Sequence, residues 1–413
     1  MTDLGKYFKV LAVVILTSVF IGSLSAFFLG TLNWATALRA NQIQLVYFLP
    51  LAGIIIQYLY LNWGKESAAG SNLLIWSYAQ TNKSVSWKMA PLIFIGTVLT
   101  HLFGGSAGRE GTAVQMGGSM ASVLARLFQL DETDKRLFLL VGISAGFASI
   151  FGTPWAGFIF AFEFLWAKNQ VKESVLPTLL AAFVAHFTCL FWGAVHTQFP
   201  PVALPIFSFP VLINVAIAGV FFGLAAQVFV RLNLISAKLF GSIQNNYLRI
   251  ILGAFIVLSL VMLLEVPNLT GLGIYTIVAS FNESQPAYYF LLKILLTVIT
   301  LTAGFKGGEV TPLFFIGATL GSVLVWVLPL PISLLAALGL IAVFAGASNA
   351  PVSSIIMGAE LFGFNIFFYL LLACTMAFMF SGFTGIYSAH PMGNIKRKYY
   401  QKILQFQGNF HKQ

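Results

Sequence analysis

Apolar residues in this chain neither alternate as in a half-buried strand nor recur every third or fourth position as in a surface helix. They form near-continuous runs separated by short breaks of glycine, proline or charge. The runs fall roughly at 8–33, 44–62, 89–103, 112–127, 136–150, 154–167, 175–197, 203–230, 249–265, 287–303, 311–328, 331–347, 351–362 and 364–384. Each predicts a helix. A helix that crosses a bilayer needs about 20 apolar residues at about 1.5 Å each, so several of these are too short to cross. No Asp, Glu, Lys or Arg occurs from Val310 to Ala359, and none from Leu361 to Ile395. A membrane β-barrel would instead show alternating segments of about 10 residues, a pattern this chain lacks. The prediction is an all-α integral membrane protein with many tilted, partly non-spanning helices.

Composition agrees. Charged residues make up 8% of the 413 positions and apolar ones 59%, with a mean hydropathy of +0.90; a soluble domain carries about 25% charged residues. The whole chain, 1–413, reads as one membrane domain. A net charge of +10 would suit a nucleic-acid binder, but the basic residues sit in short loops and at the ends, as at Lys396-Arg397-Lys398. The positive-inside rule explains that placement and puts the short basic tail, 396–413, in the cytoplasm. Val10–Gly30 is too long for the core of a signal peptide and reads as the first helix. Cys189 and Cys374 stand singly in apolar runs, so neither a disulfide framework nor a zinc site is indicated. Nothing in the sequence calls for a cofactor or a metal.

The candidate chemistry lies in two glycine-rich breaks. One reads Gly104-Gly105-Ser106-Ala107-Gly108-Arg109-Glu110-Gly111-Thr112; the other reads Gly304-Phe305-Lys306-Gly307-Gly308-Glu309-Val310-Thr311-Pro312. At an offset of 199, Gly105, Gly108, Glu110, Thr112 and Gly118 recur as Gly304, Gly307, Glu309, Thr311 and Gly317. A second pair of similar stretches follows: Pro154 precedes Glu163 by nine residues, as Pro351 precedes Glu360. Interrupted apolar segments at matching places in two halves mark a transporter built from repeats, with its site near the bilayer midplane. The repeats span roughly 40–200 and 235–390; the pattern alone leaves open whether they are parallel or inverted. A glycine-rich break before an apolar helix presents free N–H groups at a helix N-terminus, where an anion is favoured. Residues 104–112 and 304–312 are two such starts, and Ala69-Gly70-Ser71-Asn72 is a third candidate. Ionisable groups are costly in hydrocarbon, so Glu110 and Glu309 are functional candidates by default. Glu309 suits either proton handling or a hydrogen-bonding role in packing. Glu163 and Glu360 read as structural, bonding loop amides or neighbouring helices.

Gly108-Arg109-Glu110-Gly111-Thr112 resembles the Gly-Arg-Glu-Gly-Pro signature of the CLC chloride channels and transporters. Gly308-Glu309-Val310-Thr311-Pro312 falls where that family has Gly-x-Phe-x-Pro, and Gly70-Ser71-Asn72 where it has Gly-Ser-Gly-x-Pro. The resemblance implies two inverted repeats, a homodimer with one pathway per subunit, both termini cytoplasmic, and Glu110 as the gating, proton-coupling glutamate. It implies anion contacts from Ser71, Asn72, Gly108, Arg109, Gly111, Val310, Thr311 and Tyr387, the last in Thr384-Gly385-Ile386-Tyr387-Ser388. Tyr387 also suits an interfacial anchor. Three departures, Thr112 for Pro, Val310-Thr311 for a Phe-Ala type pair and Asn72 for Gly, resemble the fluoride-exporting branch of bacterial antiporters. Ser71 is the chloride branch's own halide ligand, and Phe164 stands where many chloride–proton exchangers carry a second glutamate. The expected function is fluoride/proton antiport that exports fluoride across the inner (cytoplasmic) membrane, with fluoride, protons and membrane lipid as partners and no nucleic acid. The alternative is a chloride-selective CLC antiporter or channel. Gly104-Gly105-Ser106-Ala107-Gly108 also fits G-x-S-x-G, which keeps an intramembrane serine hydrolase as a remote reading.

Overall fold

The computed structural model describes residues 3–80, 85–167 and 171–398; of the tail expected over 396–413, residues 399–413 lie outside the described residues. Among the described residues the regular structure is helical, and the expectation of an all-α fold holds. Along the chain come α1 (Asp3–Asn41), α2 (Leu49–Trp63), α3 (Ser71–Ala79), α4 (Met89–Leu102), α5 (Glu110–Leu127), α6 (Glu132–Phe151), α7 (Pro154–Leu165) and α8 (Val171–Phe191). Then follow α9 (Phe209–Gly241), α10 (Asn246–Leu263), α11 (Ile274–Ala279), α12 (Tyr289–Ala303), α13 (Val310–Leu324), α14 (Ile332–Ser348), α15 (Pro351–Phe362) and α16 (Phe367–Phe380).

Most apolar runs became helices, with two instructive differences. The run at 203–230 is helical only from Phe209, because Pro200, Pro201 and Pro205 cannot donate to a helix and hold their neighbours extended. α3 and α11 lie between runs and are too short to register as periodic segments. Gly5–Asn41, Ile43–Trp63, Val171–Phe191, Phe209–Gly241 and Asn246–Leu263 are long and apolar enough to cross a membrane. The helices that carry the motifs are shorter. α7 and α15 have 12 residues each, about 18 Å of rise against a hydrocarbon core of about 30 Å.

The second eight helices repeat the packing of the first. α1 lies against α4, α6 and α8, as α9 lies against α12, α14 and α16. α5 packs on α6 and α13 on α14, while α2 meets α10 and α7 meets α15, each its own counterpart. Glycine permits the closest of these approaches: a Cβ on Gly117 would overlap the carbonyl of Gly142, and one on Gly317 the carbonyl of Gly339.

The sense of the repeat follows from α7 and α15. Near the C-terminal end of α7, the Glu163 carboxylate accepts from Val352 N (3.0 Å) and Ser353 N (2.7 Å) in the first turn of α15. Near the end of α15, Glu360 accepts from Trp155 N (3.0 Å) and Ala156 N (2.8 Å) in the first turn of α7. Each helix caps the start of the other, so the two run antiparallel and the halves are inverted. Glu163 and Glu360 are the structural residues the sequence suggested.

Candidate functional site

The two glycine-rich breaks meet at the pseudo-two-fold. Gly108 N donates to Gly308 O at 2.6 Å and Gly308 N to Gly108 O at 2.8 Å, an isolated antiparallel bridge between the halves. Before it, Gly104 and Gly304 take φ of +85° and +121°, which a side chain resists. Gly105 N then bonds Thr100 O, and Phe305 N bonds Thr300 O. These equivalences run at an offset of 200. The identities at 199 therefore do not pair structural equals: Arg109 and Glu309 are the residues flanking the two helix starts, while Glu110 and Val310 open α5 and α13. The two glutamates sit one position apart in the repeat.

That single step gives them different surroundings. Glu110 is 3% exposed. Its Oε2 accepts from Thr311 Oγ1 at 2.5 Å, Thr311 N at 3.1 Å and Arg109 N at 3.2 Å, and its Oε1 lies 3.4 Å from Arg109 Nε. A carboxylate from one half thus occupies the N-terminus of α13 in the other, where free N–H groups and the helix dipole favour negative charge. The Arg109–Glu110 pair is real, but the shorter bonds come from Thr311. Gly108, expected to contact the anion, has its N–H bonded to Gly308 and braces the backbone at the bridge. Gly111 presses against Gly308, with Glu309 Oε2 4.0 Å from where its Cβ would be, and Val310 is buried at the start of α13.

Glu110 and Thr311 lie between cavities. On one side, a cavity of about 150 Å³ is lined by Ser71, Asn72, Gln115, Lys306, Glu309 and Tyr387 among others. On the other, a small space of about 20 Å³ touches Arg109, Glu110, Thr197 and Thr311, and shares Arg109 and Thr197 with a larger one of about 800 Å³. The large cavity is lined by Ile43, before the start of α2, and the 150 Å³ one by Ser67 and Ala68, beyond its end, so they lie toward opposite faces.

In the 150 Å³ cavity, Ser71 Oγ accepts from Gln115 Nε2 at 3.3 Å. Asn72 Oδ1 accepts from Ala389 N at 3.0 Å, tying α3 to the loop that carries Tyr387. Tyr387 is buried, its ring edge-on to Phe164 at 4.8 Å, so Phe164 holds the tyrosine. From Phe164 a file of rings continues through Phe160 and Phe147 to Phe151, which lines the small space beside Glu110. Sequence reasoning missed this file, because 41 phenylalanines mask any four. It also missed Lys306 and Gln115, whose cavity positions no periodicity announces. Ser106 and His101 do not assemble a nucleophile. Ser106 Oγ pairs with Thr297 Oγ1 at 2.9 Å, and both His101 nitrogens face carbonyls, of Thr97 and Ala107.

The model of the voltage-gated chloride channel family matches residues 52–382. The chain belongs to the CLC family. It is 42% identical to a chloride/fluoride channel protein of Pseudomonas syringae pv. tomato, over 95% of this chain and 89% of that protein. Among solved structures, it superposes on a CLC-type fluoride/proton antiporter with a TM-score of 0.90 and 35% identity, covering 94% of this chain and 99% of that one. A slow cyanobacterial chloride/proton antiporter matches with a TM-score of 0.77 at 20% identity, over 90% and 94% of the two chains, a likeness of fold. The CLC fold of two inverted repeats is thereby shown, and the protein is a membrane transporter.

Proposed function

We propose that this CLC protein exports fluoride in exchange for protons, with Glu110 as the gate that couples them. The observation that carries the proposal is the Glu110 carboxylate at the start of α13, accepting from both Thr311 donors between two cavities on opposite faces. A carboxylate there stands where a permeating anion would stand, so the two compete for one set of donors. A protonated Glu110 gives up its charge-assisted bonds to Thr311 and swings aside, admitting the anion. Proton uptake and anion passage thus become alternating occupants of one site.

Fluoride is small and holds water strongly, so its site must offer short, well-aimed donors. Thr311 N–H and O–H, the side-chain N–H2 of Asn72, Ser71 and Tyr387 are of that kind, with phenylalanine edges supplying positive partial charge. The names of the Pseudomonas relative and of the superposed antiporter support the same substrate. Ser71 favours chloride as the second reading, since it lines the cavity. We place the protein in the inner membrane as a homodimer, with both termini and the Ser71–Tyr387 cavity on the cytoplasmic side, as the basic C-terminal segment suggests.

The test is Glu110→Gln in liposomes, with fluoride and pH recorded together. Proton movement is expected to vanish, with any residual fluoride flux uncoupled. Protons still moving against fluoride in the variant would overturn the gate.

A further inference from the structure

Lys306 is an unusual neighbour for a membrane-buried anion cavity, and the mechanism above does not use it. It sits in the break before α13 and lines the same 150 Å³ cavity as Ser71, Asn72, Glu309 and Tyr387. Its stem lies in a slot on α4: a Cβ on Gly96 would fall 2.8 Å from Lys306 Cβ and 2.9 Å from its Cγ. Glycine at 96 is what leaves room for the lysine. The ammonium sits 4.1 Å from the centre of the Tyr60 ring on α2. The Lys306 backbone N–H donates to Thr100 Oγ1 at 3.3 Å, which fixes the residue from the α4 side. Among the described residues the ammonium has no ion-pair partner. The other charged groups near it are Glu309, on the same cavity wall, and Arg249 of α10, whose Nη2 comes within 3.7 Å of the Cβ position of Gly304.

We propose that Lys306 is the anion-recruiting cation of the inner cavity, raising the occupancy of fluoride beside Glu309 and Tyr387. An ammonium seated on the face of Tyr60, itself a residue of the cavity wall, holds its charge beside the cavity without a bonded carboxylate. With Glu309 ionised the cavity wall holds one cation and one anion. With Glu309 protonated the wall is left positive. Anion entry is therefore favoured when a proton is aboard, a second coupling that acts at the inner cavity before the gate at Glu110. The inference deepens the exchange reading above and rests on it for its direction.

The experiment is fluoride binding to detergent-purified protein by titration calorimetry with sodium fluoride, alongside exchange in liposomes. Lys306→Met keeps the stem and removes the charge; its fluoride dissociation constant is expected to rise on the order of tenfold, as loss of a unit charge several ångströms away implies. Lys306→Arg is expected to bind within a few-fold of wild type. If Lys306→Met does not fold, Lys306→Cys is alkylated after folding with an ethylammonium or a neutral acetamide reagent, Cys189 and Cys374 being buried. The cationic adduct alone should restore binding. Wild-type affinity in Lys306→Met, or equal rescue by both adducts, would overturn the role of Lys306. Wild-type protein that binds fluoride but moves no protons would overturn the exchange reading and leave Lys306 as an anion-recruiting cation.

Discussion

At the scale of single residues, Thr311 is the contact that most separates this site from a bare helix end. It gives one carboxylate oxygen both a backbone and a side-chain donor, and no other residue does so for Glu110 among the described residues. Hydrogen bonds to charged groups are worth about 1.5–3 kcal/mol. Thr311→Val keeps the shape and the N–H but loses the hydroxyl, and initial fluoride efflux should fall roughly tenfold or more, with Thr311→Ser near wild type. Efflux unchanged in the valine variant would show that the hydroxyl does not serve the anion. Sequence reading named Glu110 as an ionisable group in an apolar chain and Thr311, Ser71, Asn72 and Tyr387 through the CLC resemblance; the fold brings Thr311 to Glu110 and lines one cavity with the other three. It misjudged equivalence: counting identical letters gave an offset of 199, whereas backbone hydrogen bonds align the halves at 200 and set Glu309 opposite Arg109. Residue type cannot report which position opens a helix.

Among elements, the exchange of caps between α7 and α15 is the most explicit device in the fold. Two carboxylates satisfy four helix-start amides that would otherwise lack an intrahelical partner. Each cap at a helix start is worth about 1–2 kcal/mol. Glu163→Gln and Glu360→Gln should each lower the apparent Tm of detergent-purified protein by a few degrees, about 2–4 °C per kcal/mol for a large domain. The two caps lie at opposite ends of helices about 18 Å long, so the double variant should lose about the sum. Thermal unfolding followed by size exclusion reads this; a double variant no worse than either single one would mean the caps do not act separately. These helices were legible from Pro154 and Pro351, which open them. Their antiparallel sense was not legible in hydropathy, which carries no direction, and came only from the CLC resemblance. We propose that the repeats are α1–α8 and α9–α16, wider than 40–200 and 235–390, since α1 and α9 pack alike within their halves.

Over the whole molecule, inversion has a functional consequence. It brings two helix starts, one from each half, to a single bridge at Gly108 and Gly308, and leaves a cavity on either face. The all-α class and the interrupted helices were readable from runs too short to cross a bilayer. The cavities were not, because they are formed by residues some 200 positions apart whose meeting only the fold determines. The asymmetry matters as much as the symmetry: one half supplies the carboxylate and the other the threonine that receives it. We propose that this arrangement exchanges fluoride for protons. The most direct test is efflux of fluoride and of chloride from liposomes containing the purified protein, with pH followed in the same trace. Fluoride should leave rapidly while protons enter, and chloride should lag well behind. Chloride permeating as well as fluoride, or fluoride leaving without protons, would contradict it.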